Sequence, residues 1–185
     1  MHTIETRGQG GRRSIRGWRG WLWGGAVGLL LLPALAMRFC PQAGVDWSPL
    51  DFAVMGVLLA AVCGLLDFGL RRDGSPAYRA GFAVAVLAGF ATIWANLAVG
   101  MLGGEGDPAN ALFAGVLAIA AVGSLLARFR AAGMAKAMVV TALAQLAVVG
   151  VALALGGFLP RELLLTAGFA LPWLLSAGLF GRAAR

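Results

Sequence analysis

The chain has 185 residues, of which 60% are hydrophobic and 12% are charged, and its formal net charge is +7. This composition excludes an ordinary water-soluble globular domain, because so few polar side chains cannot cover its surface. The absence of alternating polar and apolar residues argues against an outer-membrane barrel. The composition therefore predicts an all-α, polytopic transmembrane helix bundle.

Six stretches are long and apolar enough to cross a bilayer, since a spanning helix needs about 20 residues. They are residues 18–37, 51–70, 78–102, 108–129, 134–157 and 160–180. We expect them to form one six-helix transmembrane domain, residues 18–180.

The positions of the charges predict the orientation. All of the 15 basic residues except Arg38 and Arg161 fall in the ends and loops of one side of this topology. Short loops rich in Lys and Arg stay in the cytoplasm, so we expect both termini there. The positive charge is then a topology signal with some attraction to anionic lipid headgroups, and it does not indicate nucleic-acid binding. The use of Arg in an Ala- and Gly-rich chain indicates a bacterial inner-membrane protein.

The N-terminal region has two interpretations. Residues 1–17 are basic, polar and Gly-rich, which predicts a disordered cytoplasmic tail, and Trp residues then mark the membrane interface. The first span also resembles a secretory signal, because its basic start and apolar run precede Pro33-Ala34-Leu35-Ala36, which would be cleaved after Ala36. We favour a retained first helix, because the segment is long enough to span.

Capping patterns predict where four of the later spans begin. A Ser or Asp before Pro supplies the N-cap, and an acid in the first turn faces the positive end of the helix dipole. The segments are Ser48-Pro49-Leu50-Asp51, Ser75-Pro76, Asp107-Pro108 and Pro160-Arg161-Glu162.

Asp67 is the one acid well inside a hydrophobic stretch, and such groups are functional candidates. Arg71 follows one turn later, so a structural ion pair at the cytoplasmic end is the favoured interpretation. A proton or cation site at Asp67 is the alternative.

Small residues at helical spacing predict close packing of the spans. They are Gly56, Ala60 and Gly64 in the second span, Gly81, Ala85 and Gly89 in the third, and Gly115 and Gly123 in the fourth. Pro33 and Pro172 are expected to bend the first and sixth helices, because each removes a backbone donor in mid-span.

Polar side chains extend the small-residue stripe of the third span and recur in the fifth. The residues are Thr92, Trp94, Asn96 and Gly100 in the third span, and Thr141 and Gln145 in the fifth. A buried amide needs partners, because an unpaired polar group in hydrocarbon is costly. Two interpretations stay open: a network of Asn96 and Gln145 that joins helices, or a small polar cavity that opens outward.

The loop after the third span is acidic and Gly-rich. Asp107 is expected to cap the next helix and Asn110 to lie in its first turn, which leaves Glu105 without a structural role. A solvated acidic loop on the outer side is the favoured interpretation. A weak cation site of Glu105 with Asp107, Asp46 and Asp51 is the alternative, because hard cations prefer carboxylate and amide oxygens.

The stretch Trp94-x-Asn96-x-Ala98-Val99-Gly100-x-x-Gly103-x-Glu105-x-x-Pro108-x-Asn110 resembles the signature of an uncharacterised family of small bacterial inner-membrane proteins. Looser similarity covers around half the chain. Gly104 departs from the pattern, which has a polar residue there. The resemblance implies six spans and brings no substrate, cofactor or activity.

No catalytic role is predicted, since the sequence has no nucleophile–base pair, no metal-ligand spacing and no phosphate-binding glycine loop. We expect no cofactor and no metal. Two classes of function remain, with the bilayer as the common partner. The first is a structural or partner-binding helix bundle, alone, as a homo-oligomer or with another membrane protein. The second is a small permease or channel built from two halves of three spans.

Overall fold

The computed structural model describes residues 9–72 and 75–185, and it describes the side chains from residue 18 onward. Within these ranges the chain forms helices and no strands. Six segments are long and apolar enough to cross a membrane. The predicted all-α fold with six spans is therefore confirmed, and the chain is a multi-pass membrane protein. Residues 1–8 of the predicted disordered tail lie outside the described residues.

The helices follow the predicted order. They are α1 (Gln9–Phe39), α2 (Pro49–Arg72), α3 (Pro76–Ala98), α4 (Leu112–Leu126), α5 (Ala131–Leu155), α6 (Pro160–Gly168) and α7 (Ala170–Ala183). Short 3₁₀ turns at Pro41–Ala43 and Pro108–Ala111 precede α2 and α4.

Several boundaries differ from the prediction, and the start of α1 and the end of α3 are among the largest differences. α1 begins at Gln9, inside the segment that the sequence predicts to be disordered. α3 ends at Ala98 and not at Leu102, because Gly100 adopts a left-handed φ of 66° that a continuing α-helix does not allow.

Pro172 accounts for the break in the sixth span. The span consists of α6 and α7, which are separated at Phe169. Pro172 has no N–H to donate to the carbonyl of Gly168, and its ring crowds that carbonyl, so the helix is interrupted one turn before the proline. Pro33, in contrast, lies inside α1, which is continuous from Gln9 to Phe39.

The predicted helix starts are confirmed at α2, α3, the 3₁₀ turn and α6. The Asp51 carboxylate accepts hydrogen bonds from the backbone N–H and the hydroxyl of Ser48, at 2.7 and 2.8 Å. The Asp107 carboxylate accepts one from the N–H of Ala109 at 2.8 Å. Ser75 stands at the N-cap of α3. Glu162 accepts a hydrogen bond from the N–H of Leu159 at 3.2 Å.

The chain divides into two compact units, residues 1–67 and residues 68–185. In the first unit α1 lies against α2. The side chain of Leu30 approaches Gly56, and the thiol of Cys63 lies 3.7 Å from the carbonyl oxygen of Leu22.

The second unit is a bundle in which α5 and α7 make the most extensive contact, followed by α3 with α7 and α4 with α5. One hydrophobic cluster fills the end near the α4–α5 turn and includes Tyr78, Met134, Trp173 and Phe180. A second cluster, which includes Leu102, Phe113 and Val148, fills the end near the loop of residues 99–111. The core of this unit therefore extends along the full height of the bundle.

α3 and α7 approach closely at Gly81. A Cβ on Gly81 would lie 3.2 Å from the Cβ of Leu179 and 3.3 Å from the carbonyl oxygen of Ser176. The hydroxyl of Ser176 donates a buried hydrogen bond of 2.8 Å to the carbonyl oxygen of Gly81. The missing side chain of Gly81 thus allows both the close contact and the hydrogen bond.

The α4–α5 turn contains two non-glycine residues in the left-handed region, Arg128 (φ 47°) and Phe129 (φ 57°). Their carbonyl groups accept hydrogen bonds from the guanidinium of Arg72 at 3.0 Å and from the hydroxyl of Tyr78 at 2.8 Å. The same guanidinium lies 5.0 Å from the ring centroids of Phe68 and Phe129, within range of cation–π attraction. These contacts offset the backbone strain that the two residues carry.

Replacement of Gly81 by Val is expected to lower the free energy of unfolding by about 1–3 kcal/mol, because the added methyl groups overpack the α3–α7 contact. The measurement is a denaturant titration of the purified protein in detergent micelles. Gly178→Val on α7 is the matched control, since a Cβ at Gly178 meets nothing within 4 Å. Equal losses from the two variants would contradict the packing role of Gly81.

Candidate functional site

The loop of residues 99–111 is held together by the side chain of Asn110. Its Oδ1 accepts hydrogen bonds from the backbone N–H groups of Met101 and Leu102, both at 3.0 Å. Its Nδ2 donates to the carbonyl oxygens of Leu102 at 2.9 Å and Gly104 at 2.6 Å. One amide therefore satisfies four backbone groups in residues 101–104, a segment without regular secondary structure.

Two glycines of the same loop are required by its shape. Gly100 and Gly103 have φ values of 66° and 64°, a region that disfavours other residues. A Cβ on Gly100 would overlap the backbone of Gly104, and a Cβ on Gly103 would overlap the Asp107 side chain. The Gly100 and Gly103 positions in the Trp94–Asn110 signature thus have a structural explanation.

The loop folds inward and closes the end of the second unit. Met101 and Leu102 are buried within the hydrophobic cluster around Phe113. The Nδ2 of Asn96 donates to the carbonyl oxygen of Thr92 at 2.9 Å and lies 3.3 Å from the sulfur of Met101. Asn96 consequently connects the end of α3 to this loop.

The remaining residues of the signature point elsewhere. Trp94 is 49% exposed and stacks on Phe90, with ring centroids 6.4 Å apart, so the structure does not bring it into contact with Asn96. Glu105 is exposed and has no hydrogen bond or ion pair with the described residues. The expectation that Glu105 lies in a solvated acidic loop is consistent with this position.

Two of the acids named for the alternative cation site cap helices. Within residues 9–72 and 75–185 there is no group of three or more His, Cys, Asp or Glu side chains that could hold a metal ion. Asp51 and Asp107 use their carboxylate oxygens to cap helices, and Asn110 uses its amide within the loop.

Gln145 lies in the interior of the second unit and is fully buried. Its Nε2 donates to the carbonyl oxygen of Thr166 at 3.0 Å, which joins α5 to α6. Gln145 and Asn96 thus have separate hydrogen-bond partners. Thr92 and Thr141, also fully buried, donate to carbonyl oxygens one turn back in their own helices, each at 2.9 Å.

Several buried polar atoms have no partner among the described residues. They are the Oε1 of Gln145, the Oγ1 of Thr166, the Nε1 of Trp173 and the Oδ1 of Asn96. Thr166 and Trp173 were not candidates from the sequence. They lie on either side of the break at Phe169, Thr166 in α6 and Trp173 in α7, and no spacing along one helix marks them in the sequence.

Asp67 forms an ion pair in the first unit that the sequence analysis missed. Its Oδ1 lies 3.3 Å from the Nε of Arg19. The two side chains are 20% and 47% exposed, so the pair is partly solvated and has a modest effect on stability. Arg19 is thus a charged partner of Asp67 that the sequence did not indicate, and the pairing with Arg71 stays a prediction.

A glycine face on α1 is the second feature that the sequence analysis missed. Gly20, Gly24 and Gly28 recur every fourth residue and so share one face of the helix. Among the described residues, and apart from the adjacent residues and backbone of α1 itself, no atom lies within 4 Å of the Cβ position of any of the three. The contacts of α1 with α2 are made instead by the carbonyl oxygen of Leu22 and the side chain of Leu30.

Comparison with known proteins gives no further assignment. No family model, curated protein or solved structure matches the chain. The resemblance of the Trp94–Asn110 signature to a bacterial family therefore stays a prediction.

Replacement of Asn110 by Ala is expected to lower the free energy of unfolding by about 2–4 kcal/mol, because four backbone groups lose their hydrogen-bond partner. The loop of residues 99–107 should also become sensitive to proteases. Denaturant titration in detergent and limited proteolysis measure the two effects. Glu105→Ala is the control and should change neither. A stable, protease-resistant Asn110→Ala variant would show that the Asn110 side chain does not hold the loop together.

Proposed function

We propose that the chain is a non-enzymatic helix bundle of the bacterial inner membrane that binds another transmembrane helix. The binding element is the glycine face of α1, formed by Gly20, Gly24 and Gly28. The observation that carries this proposal is that no atom of the first unit covers this face. The partner is a second copy of the chain or another membrane protein.

The physical argument concerns helix packing in lipid. Because lipid tails are as apolar as the side chains, there is little hydrophobic force between membrane helices, and association depends on van der Waals contact over a large area. A face of glycines at four-residue spacing lets two backbones approach closely and makes that contact. Large side chains on the same face would prevent it.

The structural roles of the polar residues in the loop of residues 99–111 support the same proposal. Asn110, Asp107 and Gly100 serve the shape of their own loop. Because these residues stabilise their own loop, we assign the binding of a partner helix to the surface of α1.

The orientation belongs to the proposal as well. Six spans return the chain to the side on which it began. The concentration of Arg in one set of loops then supports cytoplasmic termini, since basic residues of short loops are retained in the cytoplasm.

Replacement of Gly24 by Leu is expected to remove most of the complex that α1 forms, because the bulky side chain separates the two backbones. The measurement is chemical crosslinking in native membranes, followed by purification and mass determination of the crosslinked species. The control is Gly150→Leu on α5, an exposed glycine that also has no atom within 4 Å of its Cβ position.

Loss in Gly24→Leu with retention in Gly150→Leu supports the proposal, and the mass of the complex distinguishes a second copy from another protein. A wild-type chain that is solitary in native membranes would count against it.

A small permease is the second candidate function, and the unpartnered oxygens of Gln145 and Thr166 favour it. Both residues are fully buried, and an unpaired polar atom in such a place is costly unless water or a polar solute reaches it. A polar solute passing between α5 and α6 would satisfy both oxygens.

If this candidate is correct, Gln145→Leu abolishes the uptake of small cations or neutral polar solutes into proteoliposomes, while the protein still inserts. Thr141→Val is the control, since the Thr141 hydroxyl bonds only within its own helix. Absence of uptake by the wild-type chain across such a panel of solutes would reject the permease.

A further inference from the structure

A groove of about 290 Å³ lies between α4 and α5, close to the turn that connects them. Its walls include Ile119, Gly123 and Leu126 on α4 and Gly133, Lys136 and Val140 on α5. Its volume is at the lower end of that of small-molecule pockets, which hold about 300–1,000 Å³. The groove therefore has room for a slender apolar group such as part of an acyl chain.

The groove arises from the close approach of two helices at small residues. A Cβ on Gly123 would lie 2.9 Å from the Cβ of Ala137, and a Cβ on Gly133 would lie 2.7 Å from the Cβ of Ala127. Because these residues are small, the backbones meet without large side chains to fill the space beside the contact. The recess is lined by Leu126, 79% exposed, and Val140, 53% exposed.

The groove has a charged entrance and an apolar interior. Lys136 is in the second turn of α5, near the end of the span, and a lysine at such a place extends its ammonium group toward the lipid headgroups. Val140 is one turn deeper, about 6 Å further toward the bilayer centre. A charged group at the entrance and an acyl chain inside match the order of groups in a phospholipid.

The charge around the entrance is positive. No acidic residue occurs in residues 112–161, which carry Arg128, Arg130 and Lys136 close together in sequence. All three side chains are exposed. Lys136, the single lysine of the chain, makes no ion pair or hydrogen bond with the described residues. Basic residues at a cleft between membrane helices attract anionic headgroups.

We propose that this groove binds one anionic phospholipid, with an acyl chain against Ile119 and Val140 and the phosphate at the ammonium group of Lys136. The groove faces away from the core of the second unit, so a lipid reaches it directly from the bilayer. The site does not depend on the proposed function of α1, nor on the orientation of the chain, because either leaflet offers a phospholipid at this depth.

The headgroup half of the site is tested with phosphatidylglycerol as the probe. The purified full chain in detergent is titrated with this lipid, and bound copies are counted by native mass spectrometry. Lys136→Ala is expected to weaken binding about fivefold, and Lys136→Arg should restore most of it. Arg182→Ala, at an exposed basic residue in the last turn of α7, is the control and should retain wild-type binding.

The acyl-chain half is tested by filling the groove. Val140→Trp is expected to weaken the binding of phosphatidylglycerol by a similar factor without changing the charge. Val139→Trp is the matched control, since Val139 is also exposed, at 41%, and does not line the groove. Denaturant titration of each variant shows that the fold is retained.

Three results would overturn the proposal. Equal losses from Lys136→Ala and Arg182→Ala would indicate a delocalised charge attraction. Equal losses from the two Trp variants would show that the groove is not the binding place. Displacement of the lipid by millimolar inorganic phosphate, together with unchanged binding in Val140→Trp, would reduce the site to an ion site without an acyl chain.

Discussion

The interior of this protein depends on one constraint: a polar group within hydrocarbon must find its partner inside the chain. Thr92 and Thr141 meet it within their own helices. The Nε2 of Gln145 meets it across helices, at the carbonyl of Thr166, and the hydroxyl of Ser176 does so at the carbonyl of Gly81. The two bonds between helices fix α5 against α6 and α7 against α3 at defined heights. Polar side chains thereby determine how the helices of the second unit are aligned.

The second requirement is close approach, which glycine and alanine provide. At Gly81 the absence of a side chain lets α7 come near enough for the Ser176 hydrogen bond. At Gly123 and Gly133 the absence of a side chain likewise allows α4 and α5 to pack closely, and this packing leaves a groove beside the contact. One packing mode therefore produces both a tight interior contact and a recess that faces the lipid.

The polar residues of the Trp94–Asn110 signature have mainly structural roles. The Trp94–Asn110 signature gathers many polar residues, yet its side chains mainly shape a loop: Asn110 binds four backbone groups, and Asp107 caps the next turn. Two surfaces are left open by the contacts within their own units, namely the glycine face of α1 in the first unit and the α4–α5 groove in the second. A membrane protein with short loops has little else to offer a partner.

The sequence by itself determined the fold class, the six spans and most helix starts, because hydrophobic length and capping residues act locally along the chain. It placed Asp51, Asp107 and Glu162 at helix N-termini for the same reason. Only the tertiary structure decided which distant groups meet. The pairing of Asp67 with Arg19, of Gln145 with Thr166 and of Asn110 with Met101 and Leu102 depends on how helices and loops pack. Spacing along one helix shows which residues share a face, but it carries no information about what that face touches.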